Sequence, residues 1–318
     1  MERKNKYIYA GIRTILAVFL LCTASCTERS LEMRPEPVPI HLYTGIRTRA
    51  AMDAFDATSV CIACGTATGS YTECWEGIAT DDEIVLTPVR YYPQDGGKLY
   101  LRSFYPPAPL NEDGTLTYTL TGEEDLMIAS EQRGSLDDPF TADESKTLMH
   151  RHLLSKLSFR LQLYATGSGQ YKVHTLHLNG LAQQATLSLL TEELRCGGAT
   201  SSVTVYDAAT DAGGGISFEG GVAELPGYVL VQPGAGFTID MRLVVDDKPE
   251  NDLIYTDLPI HFESGTGEEG VAYTVSVDIP DPSTSEPEEI KATATVTIWE
   301  NGSSGSGELV PDGNKNPE

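Results

Sequence analysis

From Leu157 to Leu163 the chain alternates strictly: Leu157, Phe159, Leu161 and Leu163 lie two residues apart, with Ser158, Arg160 and Gln162 between them. A strand turns successive side chains to opposite faces, so the spacing predicts a strand with one buried and one solvated face. The same pattern recurs in short runs along the chain. Strands are expected over residues 38–43, 58–64, 83–87, 98–105, 116–120, 126–129 and 153–163 in the first half. In the second they are expected over 172–178, 185–189, 202–206, 228–232, 237–245, 253–260, 272–278 and 290–299. Turn residues separate nearly every pair, at 95–97, 112–114, 213–215 and Asp246-Asp247. Such a succession defines an all-β chain of the sandwich type. Helix is confined to two short prospects, 51–56 and 143–146, both too short for a stable amphipathic stripe.

The N-terminus has a different character. Arg3, Lys4 and Lys6 precede an apolar stretch from Ile15 to Leu21, which runs into Thr23-Ala24-Ser25-Cys26. That order is a secretory signal, and Arg13 leaves the apolar stretch well short of the roughly 20 residues that span a bilayer. Small residues directly before a cysteine resemble the lipobox of bacterial lipoproteins. The resemblance implies cleavage before Cys26 and acylation of its thiol, whereas an ordinary signal peptide would leave Cys26 as a plain thiol. Two or three acyl chains hold a protein to a bilayer far more firmly than one. Residues 1–25 are therefore expected to be a lipoprotein signal peptide, and outer-membrane lipid is the expected partner of Cys26.

Loss of residues 1–25 leaves 293 residues, enough for two domains. It also removes four basic residues and one acid, taking the formal charge from −24 to −27. Nucleic acid is excluded as an expected partner, because phosphate backbones call for clustered Lys and Arg. The polar stretch 131–144 places a domain boundary near residue 147, and the proline- and acid-rich stretch 278–289 reads as an exposed loop. Residues 301–318 are rich in Gly, Ser and Asn and have little reason to pack.

Residues suited to chemistry are few and poorly arranged. Cys61-x-x-Cys64, with Cys74 and Cys196, makes a four-thiolate site arithmetically possible, but residues three apart on a strand point to opposite faces. His150 and His152 share a strand face and could converge on a metal, whereas His174 and His177 would diverge. The acids Asp81-Asp82-Glu83, Asp246-Asp247 and those of 286–289 lack the alternating ligands and central glycine of a calcium loop. Trp75, Tyr91, Tyr92, Trp299 and Tyr105-Pro106-Pro107 contain the aromatic surface for carbohydrate stacking, yet aromatic residues of sandwich strands more often fill the core. No hydrolase elbow, zinc helix, phosphate loop or dinucleotide fingerprint occurs. No catalytic, cofactor-binding or metal-binding residue is assigned, and no enzyme or cofactor is expected.

Several segments in their order along the chain resemble the fimbrillin family of Bacteroidetes lipoproteins. They are the lipobox at Cys26, Thr48-Arg49, Arg90-Tyr-Tyr-Pro93, Leu99-Tyr-Leu-Arg-Ser-Phe-Tyr-Pro106, Asp125-Leu-Met-Ile-Ala129 and His152-Leu-Leu-Ser-Lys-Leu-Ser-Phe159. Leu176-His-Leu-Asn-Gly-Leu181, Gly270-Val-Ala-Tyr-Thr-Val275 and Val296-Thr-Ile-Trp-Glu-Asn-Gly302 complete the set. The resemblance implies two tandem transthyretin-like β-sandwich domains. Residues 26–49 would be a lipidated pro-segment carrying the first strand, 50–146 the N-terminal sandwich and 147–318 the C-terminal sandwich with its polar tail. It further implies a pilus subunit or tip adhesin whose first strand is released by cleavage after Arg47 or Arg49, just beyond strand 38–43. The vacated groove would accept another subunit's strand. The protein is then expected at the cell surface as an outer-membrane lipoprotein, and in the fimbrium after processing. The alternative is a surface lipoprotein that binds host or dietary glycans and never polymerises.

Overall fold

The computed structural model describes residues 36–47, 55–165, 169–210, 214–282 and 289–297. The signal stretch 1–25, Cys26, Arg49, Trp299 and the tail 301–318 lie outside the described residues. No helix occurs among the described residues, and the chain is all-β in two sheets.

The strands in chain order are β1 (Leu42–Arg47), β2 (Phe55–Gly65), β3 (Glu73–Asp81), β4 (Glu83–Thr87), β5 (Leu99–Tyr105), β6 (Thr115–Thr119), β7 (Met127–Ala129), β8 (Gln132–Gly134), β9 (Leu148–His152) and β10 (Ser155–Leu163). They continue with β11 (Tyr171–Ser188), β12 (Leu194–Asp207), β13 (Ile216–Ser217), β14 (Val222–Glu224), β15 (Val229–Val231), β16 (Thr238–Val245), β17 (Lys248–Phe262), β18 (Ala272–Ile279) and β19 (Lys291–Thr297).

The first sheet runs β2-β3-β4-β1-β9-β7-β5-β8, and β5 pairs again with β2, so seven strands close into a barrel. Its interior follows the period-2 pattern. Ile84 and Leu86 of β4 point in while Glu83, Val85 and Thr87 point out. On β3 the inward set is Trp75, Gly77 and Ala79. Gly77 is small for a reason, because a Cβ there would lie 2.5 Å from Ile84 and 3.1 Å from Ile62. β2 is buried on both faces: Val60, Ile62 and Cys64 enter the barrel core, while Cys61 and Ala63 face the other way.

That second face of β2 meets the second sheet, whose order is β12-β11-β16-β17-β19-β18-β10-β14, with β6 and β13 on β11 and β15 on β10. The junction is an apolar cluster that joins Cys61, Phe104 and Ile128 of the first sheet to Leu187, Leu230 and Ala272 of the second. Polar groups reinforce it. The buried Arg102 of β5 pairs at 2.6 Å with Glu192, in the β11–β12 turn, and its Nε donates to Tyr71 Oη. Arg151 of β9 reaches the same Glu192 and also pairs with Glu269.

Several expectations change here. Residues 55–56 belong to β2, while 51–54 lie outside the described residues, and 143–146 form a single turn closed by Lys146 N–H donating to Asp143 O in place of the expected second helix. The expected strand 153–163 is β10, which begins two residues later at Ser155, and Leu153-Leu154 separate it from β9 in the other sheet. Conversely, 172–178 and 185–189 fuse into β11, where Gly180, at φ 101°, carries the strand across a register shift. The first strand lies later than expected, over Leu42–Arg47. Gly45 does not end it, because parallel pairing with β9 continues through Gly45↔Met149 to Arg47↔Arg151.

Candidate functional site

β1 is the seam of the barrel. It is antiparallel to β4 at Leu42↔Ile84 and Tyr43↔Glu83, then parallel to β9 from Thr44↔Leu148 to Arg47↔Arg151. Ile40, Leu42, Thr44 and Ile46 are all buried, and the three apolar ones belong to the barrel core with Phe55, Val60 and Leu148.

A polar device sits in this apolar seam. Thr44 Oγ1 donates to the carbonyl of Leu148 at 3.0 Å and lies 3.1 Å from His150 Nδ1. His150 Nε2 lies 2.9 Å from Ser103 Oγ on β5. Because the threonine proton is directed at the Leu148 carbonyl, the consistent arrangement has Nδ1–H donating to Thr44 and Nε2 accepting from Ser103. The ring is fully buried and packs edge-on to Phe55 at 5.0 Å. Burial pushes its pKa down to about 4, partly offset by the carbonyls of Gly45 and Leu148. His152 shares the buried face of β9 with His150, but its Nδ1 engages Asp125 Oδ1 at 2.8 Å. The two rings are thus committed to separate protein partners. His177 Nδ1 is 3.2 Å from Thr204 Oγ1.

Arg47, at the end of β1, forms an ion pair with Glu144, and both side chains are exposed. They line a cavity of about 500 Å³ with Ser130, Gln132, Thr147 and Arg151. Its partner in the sequence reading, Arg49, lies outside the described residues.

The cysteines divide as strand geometry requires. Cys64 faces the barrel core, where burial pushes its thiol up to about 12. Cys61 faces the junction cluster, against which Cys74 and Cys196 pack. Among the described residues no group of three His, Cys, Asp or Glu side chains is placed to hold a metal. Trp75 and Tyr92 are buried in the barrel core, Tyr92 also accepting the Phe140 N–H, whereas Tyr91 is exposed. Asp246 and Asp247 form the β16–β17 turn, with φ of 55° and 53°, as a two-residue hairpin loop demands.

The seam strand was expected, over 38–43, but its polar socket was not legible in the sequence. His150 drew attention only as half of a histidine pair, and Thr44 drew none. Their separation of 106 residues is bridged only by the parallel register of β1 and β9.

The described residues form an all-β chain whose first sheet is closed by β1 between β4 and β9. The fimbrillin-like family profile matches residues 48–299. The chain belongs to that family, and it is not an enzyme. Among solved structures it is similar to a candidate cell adhesion protein from Bacteroides uniformis, at 15% identity and a TM-score of 0.55, covering 82% of this chain and 99% of that one. Further likenesses are a fimbrial protein from Bacteroides vulgatus, at 9% identity, TM-score 0.49 and the same coverages, and the C-terminally truncated tip fimbrial protein Mfa3 from Porphyromonas gingivalis. The last has 11% identity and a TM-score of 0.41 over 82% of this chain and all of that one. No curated protein matches in sequence.

Proposed function

We propose that this protein is a pilus subunit or tip adhesin, exported as a lipoprotein precursor acylated on Cys26 and assembled at the cell surface by β-strand exchange. The observation that carries the reading is β1: the barrel is closed by a strand near the N-terminus, paired on both sides. Losing it would expose the edges of β4 and β9 and the apolar groove that held Leu42 and Ile46, and a strand from another subunit would satisfy both needs. In this reading residues 26–49 are the pro-segment, with sandwiches over 50–146 and 147–318, and each half lends the other a strand: β9 lies in the first sheet and β6 in the second.

Cleavage after Arg49 fits better than cleavage after Arg47. Arg47 is tied into the ladder opposite Arg151 and its side chain is occupied by Glu144, whereas a trypsin-like protease must draw several residues out as an extended, unpaired segment. The donor role is less favoured. β19 is paired antiparallel to β18 and parallel to β17 within its own chain, and its Ala292 and Ala294 complete the second core. An acceptor, tip or accessory position suits such a chain. The glycan-binding alternative gains nothing from the buried Trp75 and Tyr92.

Arginine-specific proteolysis of the purified precursor should give oligomers that survive mild denaturant once a donor subunit is supplied, and Arg49→Ala should block both cleavage and assembly. A cleaved chain that stays monomeric with every donor tested would count against strand exchange. Mass spectrometry of protein from the native host would separately test acylation of Cys26.

A further inference from the structure

We infer that the groove beneath β1 selects its strand by chemistry as well as shape: the occupant must carry serine or threonine at the position of Thr44, flanked two residues either side by apolar side chains. This rests on the strand-exchange reading and names the partner it implies.

The inward set of β1 and the residues just before it reads Ile40, Leu42, Thr44, Ile46, three apolar side chains and one hydroxyl, all buried. The hydroxyl is held by groups that stay when β1 leaves. Leu148 and His150 belong to β9 and Ser103 to β5, and His150 and Ser103 are both fully buried. With Thr44 in place the chain of bonds is complete: Ser103 Oγ to His150 Nε2 at 2.9 Å, His150 Nδ1 to Thr44 Oγ1 at 3.1 Å, and Thr44 Oγ1 to the Leu148 carbonyl at 3.0 Å. A hydroxyl is the smallest group that accepts from a ring N–H and donates to a carbonyl at one point. An apolar residue there removes the hydroxyl that accepts from the ring N–H and donates to the Leu148 carbonyl, leaving the ring only the backbone carbonyls at Gly45 and Leu148. Leaving a buried donor unsatisfied is the penalty by which an interface rejects the wrong partner.

The chain's own C-terminal strand fails this requirement. One set of alternate positions in 290–299 reads Ile290, Ala292, Ala294, Val296, Ile298, with no hydroxyl, and the other reads Lys291, Thr293, Thr295, Thr297, Trp299, in which no threonine has apolar residues on both sides. A second copy of this chain therefore cannot satisfy the groove with β19, and the strand comes from a different subunit bearing apolar-x-apolar-x-Ser/Thr-x-apolar.

The test uses the full chain cut after Arg49 and labelled peptides read by fluorescence polarisation. The peptide of residues 38–47 and its Thr44→Ser form should bind within about threefold of each other, and the Thr44→Val form roughly tenfold or more weakly, since a buried unpaired donor costs on the order of 1–3 kcal/mol. The peptide of residues 290–299 should be weaker still. In a His150→Leu chain the Thr44→Val penalty should shrink to about threefold or less, as its buried donor is gone. Equal affinity of the Thr44→Val and native peptides, or tight binding of 290–299, would overturn the selection while leaving strand exchange standing. Failure of the native peptide to rebind would overturn both.

Discussion

At the residue scale, His150 couples the seam to pH. Burial holds its ring neutral, with a pKa pushed down to about 4, against about 6.5 in the unfolded chain. Between those values the unfolded chain takes up a proton that the folded chain refuses, so this group makes stability fall as pH drops from 6.5 toward 4. The full loss is about 3 kcal/mol, and nothing is lost above pH 7. His150→Gln, which keeps polarity without titrating, should flatten the difference between urea midpoints at pH 7.5 and pH 5 relative to the wild type. An unchanged difference would mean that other groups carry the acid sensitivity. The sequence showed that His150 and His152 share a strand face, with no metal assigned to them; the partners His150 has, Thr44 and Ser103, lie on other strands. A histidine beside Thr44 and Ser103 titrates against burial; a histidine beside other ligands would have titrated against a metal.

At the element scale, β1 is held by both its ladder and its buried side chains. It shares two register pairs with β4 and four with β9, while Leu42 and Ile46 are 2% and 3% exposed. Leu42→Ala in the uncut chain should destabilise it by about 3 kcal/mol through lost burial and an unfilled cavity, visible as a lowered melting temperature. It should also speed loss of the strand after cleavage. A change below about 0.5 kcal/mol would show that the barrel collapses onto the vacancy. Alternation made most such elements legible: β4 is the predicted 83–87 to the residue, and β18 extends the predicted 272–278 by one. The sequence reading missed β3, because its inward positions Trp75, Gly77 and Ala79 include two small residues that give no apolar period. The reading placed the first strand over 38–43, whereas parallel pairing with β9 carries β1 on to Arg47.

At the scale of the whole molecule, the two sheets are joined by an apolar cluster with an ionic clasp at its margin. Arg102 is almost fully buried, and its pairing with Glu192 and Tyr71 ties β5 to the β11–β12 turn. Arg102→Met should cost about 3 kcal/mol, because it leaves Glu192 with only the more exposed Arg151 and removes the donor to Tyr71. Adding Glu192→Gln should recover part of that loss, since the stranded charge is then absent. Chemical denaturation of the single and double variants checks both. A double variant as unstable as the two losses added together would show that the residues act independently.

What the sequence determined by itself was periodic or local. An alternating run declares a strand and its buried face wherever it stands, and the resemblance of ordered short segments declared the family. What only the tertiary structure decided was pairing. That β1 closes a barrel between β4 and β9, that β19 is paired within its own chain, and that Thr44 finds His150 across 106 residues all depend on register between distant strands. Register is set by the summed fit of whole faces, which no single segment carries.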